Sequence, residues 1–489
     1  MKQKRTEELL ELTDKQLDEI CDSGKENIKA LIRYLINEIN TLKGELQELR
    51  DKISKDSHNS SKPPSTNGYK KLNTKKSKTK KKKRGGQKGH NGKTLKQVPD
   101  PDQIKIHEVN ECSHCGGNLK SIKATSFEKR QVFDLPNEIK IIVTEHRGEE
   151  TECPNCGKHN KAEFPPDVTH KAQYGVNLKS YAVYLSNYML IPYDRLAELF
   201  EDLFHIPLSP GTLVNLNQRC SKLLETTEEE IKKEIIASEI AHFDETGINI
   251  GGTLHWIHCA STKKYTCYYP HQKRGTKAME EMGILPFFRG IAVHDHWKSY
   301  FNYHCRHSLC NAHHLRELIF VYEEYEQKWA KKMIDFLLEV KNVTEGIRKK
   351  QLDLKIMTLF ERKYRRILNE GLRINPLPEH TKQKKRGRKK KGKVRNLLER
   401  LKDYTKAVLA FMYNLDVPFD NNQGERDIRM LKVKQKISCL FRSYDGSISF
   451  CRIRGYISTS KKNALNVINS IKAIFNMNAL LLIKSLQNS

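Results

Sequence analysis

Two acid-free runs of lysine and arginine divide this chain into parts, because such segments cannot bury themselves in a core. Residues 57–99 carry 14 Lys or Arg and no acid, and residues 380–398 carry ten more, again with no acid. Together they supply 24 of the 29 net positive charges of this 489-residue chain. The remainder is nearly neutral, and with 37% hydrophobic residues overall the chain has enough apolar material for several folded domains.

The basic runs have two interpretations. They are either solvating linkers or phosphate-binding arms that release counterions from a nucleic acid. We favour the second interpretation, because a polyanion is the natural cytosolic partner of a run this large. The residues expected to contact DNA here are Lys80, Lys81, Lys82, Lys83, Arg84, Lys389, Lys390 and Lys391.

The sequence predicts a cytosolic protein. No stretch reaches the roughly 18–20 apolar residues of a membrane-spanning helix, and residues 1–5 lead into an acidic amphipathic segment rather than a secretory signal. Twelve cysteines are too sparse for a disulfide scaffold in a chain of this length. Two CxxC pairs among them indicate metal binding in a reduced compartment.

A heptad pattern near the N-terminus predicts a coiled coil. Apolar residues alternate at spacings of four and three, with charged residues between them, which favours self-association. The alternative is an amphipathic helix packed on the protein's own body. The seam consists of Ile28, Ile32, Leu35, Ile39, Leu42, Leu46, Leu49 and Ile53.

Two cysteine pairs predict a zinc ribbon. Cys112 and Cys115 form one CxxC, Cys153 and Cys156 form the other, and each pair is accompanied by turn residues. Four thiolates on two tight turns suit tetrahedral Zn²⁺ and leave no open position, so the metal is expected to be structural. The β-branched run at residues 139–144 is predicted to be a strand of this ribbon.

The region at residues 175–236 predicts helices over residues 178–188, 193–204 and 210–224. Ser209 before Pro210 is a helix start, with serine as N-cap and proline at the first position. The last two helices, joined by a short turn, are a helix-turn-helix candidate, although ordinary scaffold has the same pattern.

Two acids lie at the ends of apolar, strand-like runs. Asp244 follows residues 240–243 in the first strand of a predicted three-strand meander, and Asp295 follows residues 290–294. Buried carboxylates in one sheet are costly unless they hold a cation. A third acid, Glu425, is predicted in the first turns of a helix. Two aspartates and a glutamate can hold two divalent cations, for which Mg²⁺ is well suited.

At these residues the chain resembles the transposases of the insertion sequence 66 family, within the ribonuclease H-like DDE superfamily. The resemblance covers nearly the whole length, from the coiled coil through the double CxxC to the acidic motifs. The motifs that carry it most specifically are residues 242–246 (HFDET), 293–300 (VHDHWKSY), 310–317 (CNAHHLRE) and 420–426 (DNNQGER).

The resemblance implies that Asp244, Asp295 and Glu425 are the catalytic triad and bind two Mg²⁺ or Mn²⁺ ions. The neighbouring acids Glu245 and Asp427 are expected to point elsewhere, because adjacent strand residues face opposite sides and residues two apart on a helix lie about 200° apart. Arg426 and Arg429 share a helix face and are expected to pair with phosphates or with the acids of the site.

The predicted fold class is multidomain α+β, with a ribonuclease H-like α/β catalytic domain that contains a helical insertion. The predicted domains are a coiled coil (1–56), a basic disordered linker (57–100), a zinc ribbon (101–170), a helix-turn-helix-like domain (171–236), a first catalytic part (237–308), a helical insertion (309–415, with a basic loop at 380–398) and a second catalytic part with C-terminal helices (416–489).

The predicted function is metal-dependent DNA cleavage at the ends of an insertion element, followed by strand transfer to target DNA. Expected partners are DNA, a second copy of the chain and accessory proteins of the same element, in the bacterial cytoplasm at the nucleoid. The alternatives are a nuclease of the same fold without strand transfer, and an inactive DNA-binding protein derived from a transposase. Cys310 and His313 supply half of a zinc site at most, so a structural or substrate-positioning role is favoured for them.

Overall fold

The computed structural model describes residues 18, 22, 24–60, 95–136, 139–345, 347, 351–377 and 392–485. The chain divides into two compact units, one formed by Met1–Tyr69, Val168–Ala197 and Leu208–Ser489 and the other by Lys70–Asp167 and Glu198–Pro207. Lys80 to Arg84 and Lys389 to Lys391 lie outside the described residues, so their contact with DNA stays a prediction. Within the described part of the chain, no helix has the length and apolarity needed to cross a membrane.

Helix α1 (Lys25–Ile53) carries the predicted heptad seam. From Ile32 to Ile53 every seam side chain is exposed, so the described part of the chain does not cover this stripe. The helix contacts its unit at its C-terminal end, where buried Asp51 accepts hydrogen bonds from the Tyr325 hydroxyl at 2.8 Å and Lys393 Nζ at 2.5 Å. The stripe is therefore available to another chain.

The cysteine-bearing unit contains a small hairpin formed by β1 (Glu150–Glu152) and β2 (His159–Lys161). The second CxxC is its turn, closed by the Cys153 N–H donating to Lys158 O at 2.9 Å and the Gly157 N–H donating to Cys153 O at 2.8 Å. The prediction of a strand at residues 139–144 is wrong. These β-branched residues are largely exposed and join no sheet of the described residues, and a strand needs a neighbouring segment to pair with it.

The helices directly before the sheet are α2 (Val176–Val183), which continues as a π-helical turn (Tyr184–Tyr188), α3 (Tyr193–Phe204), α4 (Pro210–Leu223) and α5 (Glu225–Ala237). Helix α4 starts as the sequence predicts, because the Thr212 N–H donates to Ser209 Oγ at 3.1 Å. The helix predicted from residue 178 begins two residues earlier.

A five-stranded sheet positions the predicted acids, and its strands lie in the order β5-β4-β3-β6-β7. Strands β3, β4 and β5 form an antiparallel meander, and β6 and β7 run parallel to β3. The elements in chain order are β3 (Ile240–Ile250), β4 (Thr253–Ser261), β5 (Thr266–His271), α6 (Thr276–Met282), β6 (Ile291–His294) and β7 (Arg306–Leu309).

The described residues between β7 and the last acid form mainly helices. Its core surrounds Trp329, Tyr364 and Leu398, which are fully buried. The helices are α7 (Asn311–Tyr325), α8 (Lys328–Glu345), α9 (Leu354–Ile374), α10 (Lys393–Asp403), α11 (Thr405–Val408) and α12 (Ala410–Tyr413).

The final helices cover the sheet. They are α13 (Asn422–Ser438), α14 (Tyr444–Lys462), α15 (Val467–Phe475) and α16 (Ala479–Ser485). On one face, Ile248 and Ile257 pack with Leu431 of α13 and Phe450 of α14. On the other face, Phe243 and Ala292 pack with Phe288 in a second cluster that also contains α14 residues. Burial on both faces holds β3 between two cores.

Candidate active site

The register of the parallel strands brings three predicted residues to one level of the sheet. His242 pairs with Val293 across β3 and β6, and His294 pairs with Leu309 across β6 and β7. Extending the same register places Asp244 beside Asp295 and Asp295 beside Cys310. The two aspartates thus occupy neighbouring positions where β6 ends, as the apolar runs before them predict.

The Asp244 carboxyl group lies in an unfavourable environment for a charge. Burial and the neighbouring charge of Glu245 raise its pKa to about 8, and the charges of Asp295 and Glu425 contribute in the same direction. One hydrogen bond opposes this effect, because the Glu245 N–H donates to Asp244 Oδ1 at 2.9 Å. A carboxylate in this position is stabilised when a cation lies next to it.

Glu425 lies in the first turn of α13, where its N–H donates to Asn421 O at 3.1 Å. Its Oε1 lies 3.3 Å from His313 Nε2 and 3.9 Å from Arg316 Nη2. The hydrogen bond from His313 lowers the pKa of Glu425 against the opposing effect of burial, and the charges of His313, Arg316 and Arg429 lower it further. These surroundings therefore favour the charged form of Glu425 and disfavour the charged form of Asp244.

Buried Asn421 connects the strand of Asp244 to the helix of Glu425. Its Oδ1 lies 2.8 Å from His242 Nδ1, and its Nδ2 donates to Phe243 O at 2.9 Å. Its backbone N–H donates to Cys310 Sγ at 3.1 Å. The side chain and the backbone N–H of Asn421 therefore join three elements of the site.

The three acids fit a divalent-cation site in donor chemistry, because carboxylate oxygens are ligands that Mg²⁺ prefers. The raised pKa of Asp244, caused first by burial, indicates negative charge without compensation. In this structure the carboxylate oxygens of the three acids do not all lie within 4.8 Å of one another. Among the described residues, one ligand atom each of Cys310, His313 and Glu425 does lie within that distance of the other two.

Glu245 lies on the other face of β3 from Asp244. Its side chain is 1% exposed and pairs with Arg274 Nη2 at 2.7 Å, and it accepts a hydrogen bond from the Tyr300 hydroxyl at 2.5 Å. Arg274 is stacked between the rings of Trp297 and Trp256, with its guanidinium carbon 3.7 and 4.8 Å from the ring centroids. Glu245 is thus occupied by a buried ion pair.

Asp427 also lies in a buried ion pair, with its Oδ2 2.7 Å from Lys462 Nζ of α14. Arg426 and Arg429 are exposed on the same helix. The charge of Arg429 acts on Glu425, whereas the charge of Arg426 acts on Lys462. Arg429 therefore lies near the acidic site and Arg426 lies near Lys462, and both side chains are open to solvent.

The two CxxC turns have matching geometry. The Cys112 N–H donates to Gly117 O and the Gly116 N–H donates to Cys112 O, both at 2.9 Å, as in the turn at Cys153. Backbone N–H groups within each turn, followed by the partner cysteine, lower the pKa of Cys112 and of Cys153. This donor chemistry fits zinc, although no three of the four described thiols lie within 4.8 Å of one another.

Sequence reasoning did not find Asn421, Arg274 or the contact between His313 and Glu425. Asn421 stands in the motif at residues 420–426, but its partner His242 lies 179 residues away. The neighbouring CxxH motif signalled that Cys310 and His313 belong together. Their contact with Glu425 could not be predicted from the motif, because 112 residues separate His313 from Glu425.

Comparisons with known families place this arrangement in a class. The model described as the transposase IS66 family matches residues 171–448, which include all three acids and more than half of the chain. The zinc-finger binding domain of transposase IS66 matches residues 110–157, which include both CxxC pairs. A family of unknown function, DUF6444, matches residues 16–96. A search of curated proteins finds no match.

The domain content defines a transposase with a zinc-finger domain. The chain belongs to the IS66 transposase family. Membership supports a role in transposition, DNA as partner and structural zinc in the cysteine-bearing unit.

Proposed function

We propose that this protein is a DDE transposase that cuts the ends of an insertion element and joins them to target DNA. The observation that carries the proposal is the position of Asp244 and Asp295 at neighbouring points of parallel strands, with Glu425 on the helix that packs on the same sheet. The ribonuclease H-like assignment is part of the proposal and is supported by the antiparallel meander joined to two parallel strands.

In this proposal Asp244, Asp295 and Glu425 hold two Mg²⁺ or Mn²⁺ ions. When bound, such ions activate the attacking water or 3′-hydroxyl and stabilise the leaving oxygen of the phosphodiester. The protein's own contribution is positioning, since in-line displacement at phosphorus needs no covalent enzyme intermediate. Asn421 fixes the helix of Glu425 against the strand of Asp244, and Arg426 and Arg429 offer exposed charges to DNA phosphates.

Pairing two element ends requires at least two protomers, and the exposed seam of α1 supports self-association. Apolar residues at heptad spacing that face solvent over several turns are the surface a coiled coil buries. The anchor at Asp51 ties that helix to the unit that carries the acids. The zinc-finger domain and the basic runs would bind the DNA ends.

The test is a strand-transfer assay. Labelled inverted repeats from the DNA that flanks the gene are incubated with the protein, a target plasmid and Mg²⁺, and a scrambled end sequence is the control. We expect joined product with the true ends alone, and none after chelation of the metal. Cleavage without joining would show that the protein is a nuclease and not a transposase. Specific binding without cleavage would indicate an inactive DNA-binding protein.

A further inference from the structure

Three side chains of different chemistry meet at the starts of two helices. One donor atom each of Cys310, His313 and Glu425 lies within 4.8 Å of the other two. A thiol, an imidazole and a carboxylate are the ligand types found in transition-metal sites. The sequence supplied the first two as a CxxH pair, and the fold adds the third from a helix that begins far along the chain.

The fold builds this group through backbone contacts. Cys310 follows β7, and its N–H donates to His294 O at 3.0 Å at the end of β6. His313 lies one turn further on α7. Two bonds fix the segment before Glu425 against this turn, since the Asn311 N–H donates to Phe419 O at 3.1 Å and the Asn421 N–H donates to Cys310 Sγ at 3.1 Å.

The group is reachable from solvent on one side and closed on the other. Cys310 is buried, whereas the side chains of His313 and Glu425 are 28% and 34% exposed. The imidazole and the carboxylate are therefore the ligands nearest to solvent, and the sulfur is the most buried of the three. Burial raises the pKa of the Cys310 thiol to about 11, and the Asn421 N–H that donates to the sulfur opposes this rise.

We propose that Cys310, His313 and Glu425 bind a zinc-class divalent ion, with water in the fourth position. Thiolate and imidazole ligands select Zn²⁺ or Co²⁺ over Mg²⁺, which prefers oxygen. Three protein ligands leave one tetrahedral position to solvent. Binding releases the thiol proton of Cys310, and one thiolate and one carboxylate then balance the two charges of the ion.

This site differs from the two cysteine turns in both composition and place. It shares Glu425 with the proposed Mg²⁺ site, so one carboxylate would serve ions of two kinds. The metal content can be measured without DNA, so the test does not depend on strand transfer. Failure of the proposed function and failure of this site are therefore separate results.

The experiment counts bound Co²⁺ by elemental analysis after metal removal, reloading and dialysis of the full-length protein against excess Mg²⁺, which competes with Co²⁺ at the proposed carboxylate site. We expect two ions per chain in the wild type, one in Cys310→Ser and one in the double variant Cys112→Ser/Cys115→Ser. Cys439→Ser, which removes an exposed thiol outside both sites, should keep two. His313→Gln and Glu425→Gln change more exposed positions, and each should lower the affinity for the ion at this site at least tenfold.

Two ions in Cys310→Ser, with circular dichroism like that of the wild type, would overturn the proposal. So would a single ion in the wild type that disappears with the Cys112→Ser/Cys115→Ser pair. If Cys310→Ser does not fold, His313→Gln is tested in its place. Undiminished binding of both ions by His313→Gln would also overturn the proposal.

Discussion

Asn421 Oδ1 lies 2.8 Å from His242 Nδ1, which joins the helix that carries Glu425 to the strand that carries Asp244. Because Asn421 Nδ2 donates to Phe243 O, its Oδ1 is the acceptor and His242 donates from Nδ1. Gly424 makes room for this arrangement, since a Cβ there would lie 3.0 Å from Asn421 Oδ1. The relative position of two acids thus depends on one buried amide.

Replacing Asn421 with Ala should destabilise the protein by about 2–4 kcal/mol, because the buried Phe243 carbonyl and the His242 ring lose their partner. Urea unfolding at neutral pH measures the free energy of unfolding. The matched control is Asn422→Ala at the next, exposed position, which should change it by less than about 0.5 kcal/mol. Equal free energies of unfolding for the two variants would show that the hydrogen bonds of Asn421 do not stabilise the protein.

The buried pair of Glu245 and Arg274 should show strong coupling in a double-mutant cycle. Arg274→Met leaves the Glu245 carboxylate, 1% exposed, without its cation and should cost about 2–3 kcal/mol, reduced by the partial exposure of the arginine. Adding Glu245→Gln should recover more than about 1 kcal/mol. Strict additivity of the two single changes, measured by urea unfolding, would contradict this.

Buried His258 should make stability fall in mild acid. Burial lowers its pKa from 6.5 to about 4, with the charges of His271 and Arg274 in support and a hydrogen bond to Lys273 O in opposition. Between these two values the unfolded chain binds a proton that the folded chain does not, so stability is lost as the pH falls through this window. The loss from this residue should be about 2–3 kcal/mol.

Measuring the free energy of unfolding from pH 7 to pH 4 tests the effect of His258. His258→Gln should make the loss of stability toward pH 4 smaller, whereas His304→Gln, at an exposed position, should leave the profile unchanged. Parallel profiles for the wild type and His258→Gln would contradict the assignment.

Disrupting the seam of α1 should dissociate the protein without unfolding it. Ile39 and Leu42 are 49% and 60% exposed, so lysine at both positions costs no packing within the chain. Light scattering should report an oligomer for the wild type and for Glu45→Lys, outside the seam, and a monomer for Ile39→Lys/Leu42→Lys. A monomeric wild type, or a double variant with the same mass in solution as the wild type, would contradict self-association through a coiled coil.

Local patterns in the sequence predicted the elements that carry the site. Apolar runs located the strands before Asp244 and Asp295, and Ser209 with Pro210 located the start of α4. These features depend on residues close together in the chain, so a pattern can encode them.

Contacts between distant segments could not be predicted in this way. The strand expected at residues 139–144 did not form because no segment among the described residues pairs with it, which its β-branched composition cannot reveal. The partners of Asn421 and Glu425 lie 179 and 112 residues away. Only the fold brings His242 and His313 to them.

The central claim is that Asp244, Asp295 and Glu425 act together in strand transfer. The most direct measurement is the joining of labelled element ends to a target plasmid by Asp295→Asn, compared with Asp416→Asn, which makes the same change at an exposed position outside the site. We predict that Asp295→Asn binds the ends as well as the wild type but lowers joining by at least about 1,000-fold, equivalent to about 4 kcal/mol, while Asp416→Asn joins normally. Joining by Asp295→Asn at the rate of the wild type would contradict the account.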